Sequence, residues 1–354
     1  MWPFGAAHGT VDAAINGKAE AVVAAETDVT SGGADLEDVA PVAGRVIAAI
    51  ERVIEGKRDV IGLAVTVMLA EGHLLIEDVP GVGKTMLAKA LARSIDCSVR
   101  RIQFTPDLLP SDITGVSVYN QESREFEFKP GAVFANIVVG DEINRASPKT
   151  QSALLECMEE RQVTVDGTTY HLGVPFMVIA TQNPIEMEGT YPLPEAQRDR
   201  FTARLSMGYP APAAELDMLD SHGMRNPLDE LEPVADAIEI AALIRAVRTV
   251  HVSDSVRRYT IDIVTGTRKH PDLRLGASPR ATLHLLRAAR AQAALDGRSF
   301  VLPDDVQALA APVLAHRLLL STEAHLARRT PYDTIRDLLA AIRVPSDGSS
   351  APAR

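Results

Sequence analysis

The run Asp78-Val79-Pro80-Gly81-Val82-Gly83-Lys84-Thr85 carries the densest chemistry in the chain. Pro80, Gly81 and Gly83 let the backbone curl so that successive N–H groups point inward at an anion. A helix starting near Lys84 would add the positive end of its dipole. Lys84 is then placed to reach the β- and γ-phosphates of a nucleotide, and the Thr85 hydroxyl to ligate Mg²⁺. ATP and Mg²⁺ are the ligands this pattern implies. The expected nucleotide-binding set is Asp78, Val79, Pro80, Gly81, Val82, Gly83, Lys84, Thr85 and Met86. Gly56 and Lys57, from a Gly-Lys-Arg-Asp break upstream, join it. One position departs from the G-x-x-x-x-G-K-[ST] pattern: Asp78 stands where the first glycine belongs. Aspartate tolerates unusual backbone angles better than most residues. Its charge so near phosphate is acceptable only if the carboxylate turns outward.

A second cluster lies at the end of the apolar run Asn136-Ile-Val-Val-Gly-Asp141-Glu142. A parallel sheet delivers ligands to the carboxyl ends of its strands, so both carboxylates should arrive beside the phosphate loop. Asp141 would hold Mg²⁺ through water, together with Thr85, and Glu142 would polarise the attacking water.

These groups need a scaffold, and the chain supplies the pattern of one. Val46, Ile47, Ile50, Val53 and Ile54 fall at helical spacing, and a second apolar helix runs to Ala70. Short strands are expected at His73–Glu77, Ser98–Thr105, Asn136–Glu142 and Phe176–Thr181, with helices at Thr85–Asp96 and Pro148–Arg161. The segments 116–128 and 162–173 alternate as β-hairpins, the second turning at Asp166-Gly167. Strands alternating with helices predict an α/β fold with a parallel, doubly wound sheet. Beyond Pro210 no convincing strand is seen, which predicts a small all-helical second domain. The expected organisation is a disordered or weakly helical arm over 1–40, an ATPase core over 41–208, a helical lid over 209–343 and a flexible tail over 344–354.

The 354 residues, 46% hydrophobic and 23% charged, suit a globular protein of two domains. A formal net charge of -11 argues against a dedicated nucleic-acid binder, which needs a basic face. Cys97 and Cys157 have no metal-type spacing and read as buried small hydrophobes in a reducing compartment. The longest apolar run, Ile61–Ala70, is too short to span a bilayer, and no signal-peptide pattern opens the chain. A cytoplasmic protein with no membrane insertion is expected.

Four long segments resemble the MoxR family of AAA+ ATPases. They are LLIEDVPGVGKTMLAKALA, VVGDEINRASPKTQSALLECMEERQVTVDG, FMVIATQNPIEMEGTYPLPEAQRDRF and GASPRATLHLLRAARAQAALDGRSFVLPDDV. The resemblance runs from about Val42 to about Leu320, and it implies that Asp78 is a tolerated variant. It further implies that Asn183 is the sensor-1 residue that orients the lytic water with Glu142. Arg200 matches the arginine finger given to a neighbour's γ-phosphate, although Arg198, two residues earlier, leaves open which of the two serves. Arg280 matches sensor 2, and the two hairpins match the helix-2 and pre-sensor-1 inserts of the pore face. Arg145 reads equally as a loop residue pairing with an acid or as an interface residue. Permanently charged, forked guanidinium groups suit phosphate oxygens on physical grounds alone.

What the resemblance implies about function is an ATP-hydrolysing, chaperone-like remodeller. It would assemble as a ring homo-oligomer, a hexamer, and act on client protein complexes, among them a von Willebrand factor A-type partner. The competing readings are a magnesium-chelatase-like metal-insertion motor and a nucleotide-gated scaffold with little hydrolysis.

Overall fold

A computed structural model describes residues 34–79, 81–183, 190–209 and 227–345. The arm expected over 1–40 lies almost wholly outside these residues, as does nearly all of the tail. The described chain opens with α1 (Leu36–Glu51), which begins inside the stretch read as arm and already buries Val39 completely. Then come α2 (Arg58–Leu69), β1 (Leu74–Glu77), α3 (Lys84–Ser94), β2 (Val99–Gln103) and the short α4 (Pro110–Thr114). The hairpin β3 (Gly115–Asn120) and β4 (Glu125–Pro130) leads to β5 (Ile137–Asp141) and α5 (Pro148–Glu160). A second hairpin, β6 (Gln162–Val165) and β7 (Thr168–His171), precedes β8 (Met177–Gln182), α6 (Glu195–Arg198) and β9 (Ala203–Leu205).

Five of these strands form one parallel sheet in the order β2-β5-β8-β1-β9. Side chains alternate across a strand, and here both faces are covered. Leu74, Ile76, Ile137, Val139, Met177 and Ile179 enter one apolar cluster with α1, α2 and α3. Leu75, Val138, Val178 and Ala180 enter the other, with α5 and the fully buried Phe104 and Phe201. A sheet buried on both faces reads as continuous apolar runs, which is why its strands are visible in the sequence.

The lid comprises α7 (Ala237–Arg248), α8 (Asp254–Lys269), α9 (Pro279–Leu295), α10 (Pro303–Leu314), α11 (Thr322–Leu326) and α12 (Pro331–Ala341). Among its described residues it is helical apart from an isolated bridge between His251 and Phe300 and a ribbon that the sequence did not disclose. A short antiparallel ribbon pairs β10 (Leu273–Leu275) with β11 (Leu319–Leu320), and pieces of two and three residues are too short to carry a periodic signal. The core–lid boundary is no break in packing. Val256, Ala281 and Leu285 of the lid belong to the same apolar cluster as Val46 of α1 and Ala64 of α2. Among the described residues no helix is long and apolar enough to cross a membrane.

His73, just before β1, ties three elements together, β1 and β8 of the sheet and α5. Its Nδ1 accepts from the Val178 backbone N–H at 3.0 Å, and its Nε2 lies 3.0 Å from the Met158 carbonyl. An amide only donates and a carbonyl only accepts, so the ring must be the neutral Nε2–H form. Burial pushes its pKa down to about 4, against the opposing pull of the Met158 bond. A lowered folded pKa means that the unfolded chain binds more protons between pH 6.5 and 4, so stability falls as pH falls through that window. The total is on the order of 3 kcal/mol. Denaturant titrations from pH 7 to 4.5 should show this decline, with a shallower slope in His73→Gln. An unchanged slope would remove His73 from the account.

Candidate nucleotide site

The phosphate loop joins β1 to α3, and its backbone demands glycine at two points. Gly81 and Gly83 have φ of 86° and 89°, a region that side-chain-bearing residues rarely adopt. Gly83 is also the N-cap of α3, so the loop runs straight into a helix N-terminus. Val82 and Met86 pack their partly buried side chains on the main apolar cluster. Lys84 Nζ donates to the Asp78 carbonyl at 2.7 Å, along the strand-to-helix turn that it would share with phosphate oxygens. Pro80 lies outside the described residues.

Asp78 does turn outward. Its Oδ2 accepts from Ser206 Oγ at 2.7 Å and from the Gly208 amide at 2.6 Å, and Oδ1 accepts from Val79 N–H at 2.8 Å. Burial works to raise its pKa, but the hydrogen bonds from Gly208, Ser206 and Val79 outweigh it and hold the carboxyl below its usual range. The residue thus fastens the phosphate loop to the loop after β9. Lys57, at the N-cap of α2, reaches the same loop, with Nζ 2.9 Å from the Tyr209 carbonyl. Gly56, at φ 68°, precedes it. Lys57 thus ties the start of α2 to the loop after β9.

The carboxylates arrive as the strand topology requires. Asp141, almost fully buried, lies with Oδ1 3.3 Å from Thr85 Oγ1 and 3.3 Å from Thr181 Oγ1. Thr85 and Asp141 are the hard oxygen donors that Mg²⁺ takes, usually keeping several waters, so the donor set fits that ion. Glu142 sits at φ 57°, ψ 50°, a conformation that costs a non-glycine residue on the order of 1–3 kcal/mol. Its amide donates to Thr181 Oγ1 at 3.0 Å, which holds the bend. Asn183, buried, follows the end of β8, the strand between β5 and β1.

Three residues near these carboxylates were not anticipated. Arg101 Nε lies 2.6 Å from Asp141 Oδ2, and Gln103 Nε2 lies 3.1 Å from Glu142 Oε2. Both project from β2, two residues apart and hence on one face, and the parallel register sets Gln103 opposite Asp141. Their sequence, VRRIQ, has no clean alternation, so only the register beside β5 reveals them. Thr181 gave no signal either, because a threonine in a strand is ordinary. Arg145, whose role was open, pairs with Glu142 at 2.9 Å.

The other two candidate arginines lie elsewhere. Arg200 precedes β9, and β9 pairs with β1 in parallel, Ala203 opposite Leu74. Arg200 therefore belongs to the amino ends of the strands, whereas Lys84 follows a carboxyl end. The length of β1 alone, four residues at about 3.3 Å each, separates them by roughly 13 Å. Arg280, at the start of α9, joins Arg200 there, and both meet Glu159 of α5. They line a cleft of about 670 Å³ between core and lid, with Glu71, Arg161 and Arg248 at another part of its wall. Asp199 staples this corner. It accepts from Arg317 Nε at 2.9 Å and from Ser278 Oγ at 2.7 Å. Arg198 is not among the residues that line this cleft.

A five-stranded parallel sheet with a phosphate loop after β1, paired carboxylates after β5, a polar residue after β8 and a helical lid defines the AAA+ class of P-loop nucleotide-binding proteins. Comparisons with known proteins agree. The model for the ATPase family associated with various cellular activities (AAA) matches residues 73–203, and that for the AAA lid domain matches 265–338. The chain is 39% identical over 323 residues to Chaperone MoxR1 of Mycobacterium tuberculosis, covering 87% of this chain and 85% of that one. It is 52% identical over 314 residues to the uncharacterized protein YeaC of Bacillus subtilis, covering 89% and 98%. A crystal structure from Cytophaga hutchinsonii superposes with a TM-score of 0.82 at 37% identity, covering 88% of this chain and 97% of that one. The chain belongs to the MoxR family of AAA+ ATPases.

The Asp78 anchor generates a prediction about stability. Asp78→Ala should cost about 1–2 kcal/mol, the size of a lost charged hydrogen-bond cluster. Ser206→Ala should then cost far less in that background than alone. Denaturant unfolding of the two single variants and the double variant measures the coupling, and fully additive losses would break the link.

Proposed function

We propose that this chain hydrolyses ATP in pockets shared between neighbouring copies of a ring homo-oligomer, a hexamer, and uses turnover to remodel or activate partner protein complexes. The observation that carries the reading is the division of the machinery within one chain. Lys84, Thr85, Asp141, Glu142 and Asn183 gather at the carboxyl ends of the strands. Arg200 and Arg280 gather at the amino ends, where they cannot touch their own phosphate loop. A neighbour that lays its cleft against the pocket supplies what is missing.

Within such a pocket the loop amides and Lys84 would hold the phosphates of the substrate. Thr85 and Asp141 would hold Mg²⁺, which when bound neutralises phosphate charge. Glu142 would polarise the attacking water by accepting a hydrogen bond from it, oriented with Asn183, and Gln103 and Arg145 fix where the Glu142 carboxylate waits. Arg200 and Arg280 of the next copy would stabilise charge on the transferred phosphoryl group. The remodelling role draws on the printed name of the chaperone relative, and a von Willebrand factor A-type partner on the family resemblance. The β3–β4 hairpin supports contact with a client. It exposes Phe126 to 74%, edge-on to its cross-strand partner Tyr119 on one face, and leaves Val116 and Val118 exposed on the other.

Substitutions separate the roles. Lys84→Ala should lose nucleotide binding, whereas Glu142→Gln should bind ATP without turning it over. Arg200→Ala should bind ATP but lose roughly 10³–10⁵ in rate, the usual worth of an arginine finger. Arg280→Ala should behave alike with a smaller loss. Mixing Arg200→Ala with Glu142→Gln should restore activity, because some interfaces then pair an intact Arg200 with an intact Glu142. Specific activity that is independent of protein concentration, with no restoration on mixing, would show a pocket complete within one chain.

A further inference from the structure

Glu159 occupies a position that its own helix disfavours. It lies in the last turn of α5, where the negative end of the helix dipole repels a carboxylate. Two arginines from two different parts of the chain compensate it. Arg200 of the segment before β9 meets Oε2 through Nε at 3.2 Å, and Arg280 of α9 meets Oε1 through Nη2. Each carboxylate oxygen takes one guanidinium. The same carboxylate lets two like charges sit side by side, which they would otherwise resist.

The atoms used matter more than the pairing. Arg200 is held by Nε, the inner edge of its guanidinium, and its two Nη nitrogens are the fork that suits phosphate oxygens. Arg280 gives Nη2 to Glu159 and keeps Nη1 at 3.6 Å from Asp199, whose carboxylate is itself fixed by Arg317 and Ser278. The core and lid arginines are therefore oriented relative to each other, not only tethered. A plain exposed ion pair is worth about 0–1 kcal/mol and would have no reason to join these two residues.

We propose that Glu159 is a positioning residue for hydrolysis in the neighbouring subunit, gathering Arg200 of the core and Arg280 of the lid into one pre-organised fork. The proposal rests on the shared-pocket reading above. It assigns Glu159 no contact with substrate.

Glu159→Gln keeps the size of the side chain but puts an NH₂ donor against one guanidinium. It should lower kcat by about 10–100-fold, the scale of a misplaced catalytic group, with KM for ATP and the affinity of its own pocket unchanged. Glu159→Asp, which keeps the charge, should retain part of that rate. The deciding measurement mixes Glu159→Gln with Glu142→Gln, whose Arg200, Arg280 and Glu159 are intact. Activity should return, because the Glu142→Gln subunit can serve the sound pocket of its Glu159→Gln neighbour. Should Glu159→Gln fail to fold, as a thermal melt would show, Glu159→Asp carries the same mixing comparison. Wild-type kcat in both variants would overturn the proposal. So would a loss not restored by mixing while the Arg200→Ala loss is restored, since the defect would then lie inside one chain. If neither loss is restored, the shared-pocket reading fails, and this proposal with it.

Discussion

Burying a parallel sheet on both faces leaves only its two ends for chemistry. In this chain α1, α2 and α3 cover one face and α5 covers the other, so every polar group that could act on a ligand must stand at a strand terminus. Parallel strands make those termini unequal. The carboxyl ends carry the glycine loop, the helix N-terminus and the paired carboxylates; the amino ends carry His73, Arg200 and the entry to the cleft. The separation of donor and acceptor machinery follows from strand direction before any side chain is considered.

At the carboxyl ends, each unusual residue is held by an identifiable neighbour. Asp78 replaces a glycine and is accepted because Ser206 and Gly208 receive its charge away from the loop. Glu142 adopts a left-handed backbone and is accepted because Thr181 binds its amide. Asp141 is buried, and a buried carboxylate needs a cation near it; Arg101 is that cation within the chain. The pair is close, with Nε 2.6 Å from Oδ2.

The sequence disclosed most of this where the signal was local or periodic. The phosphate loop, the Asp141-Glu142 pair, both hairpins and strands β1, β5 and β8 of the main sheet stood out as compact motifs, alternating stretches or runs of apolar residues. β9, three residues long, and the β10–β11 ribbon did not, because such pieces carry no period. Arg101 and Gln103 were hidden for a different reason: their importance depends on β2 lying beside β5, a register that only the folded sheet reveals. Asp199 and Glu159 were hidden more deeply. They act through residues 79 and 121 positions away, Ser278 and Arg280, and nothing in an acidic residue of a loop or a helix end announces that.

Core and lid share one apolar cluster, and this bears on how nucleotide state could be felt across the molecule. Val46 of α1 and Ala281 of α9 belong to the same packed body, so a large hinge between core and lid would have to expose apolar surface at about 25 cal/mol per Å². Small rotations that keep the cluster closed cost far less. The polar contacts at the cleft are the ones able to respond to such a rotation, since Glu159 and Asp199 sit on the core while Arg280, Ser278 and Arg317 sit on the lid. The hairpin β6–β7 begins three residues after Glu159, just past the end of the same helix. A shift of the lid arginines would thus reach that hairpin through one turn of α5, with no need for the domains to separate.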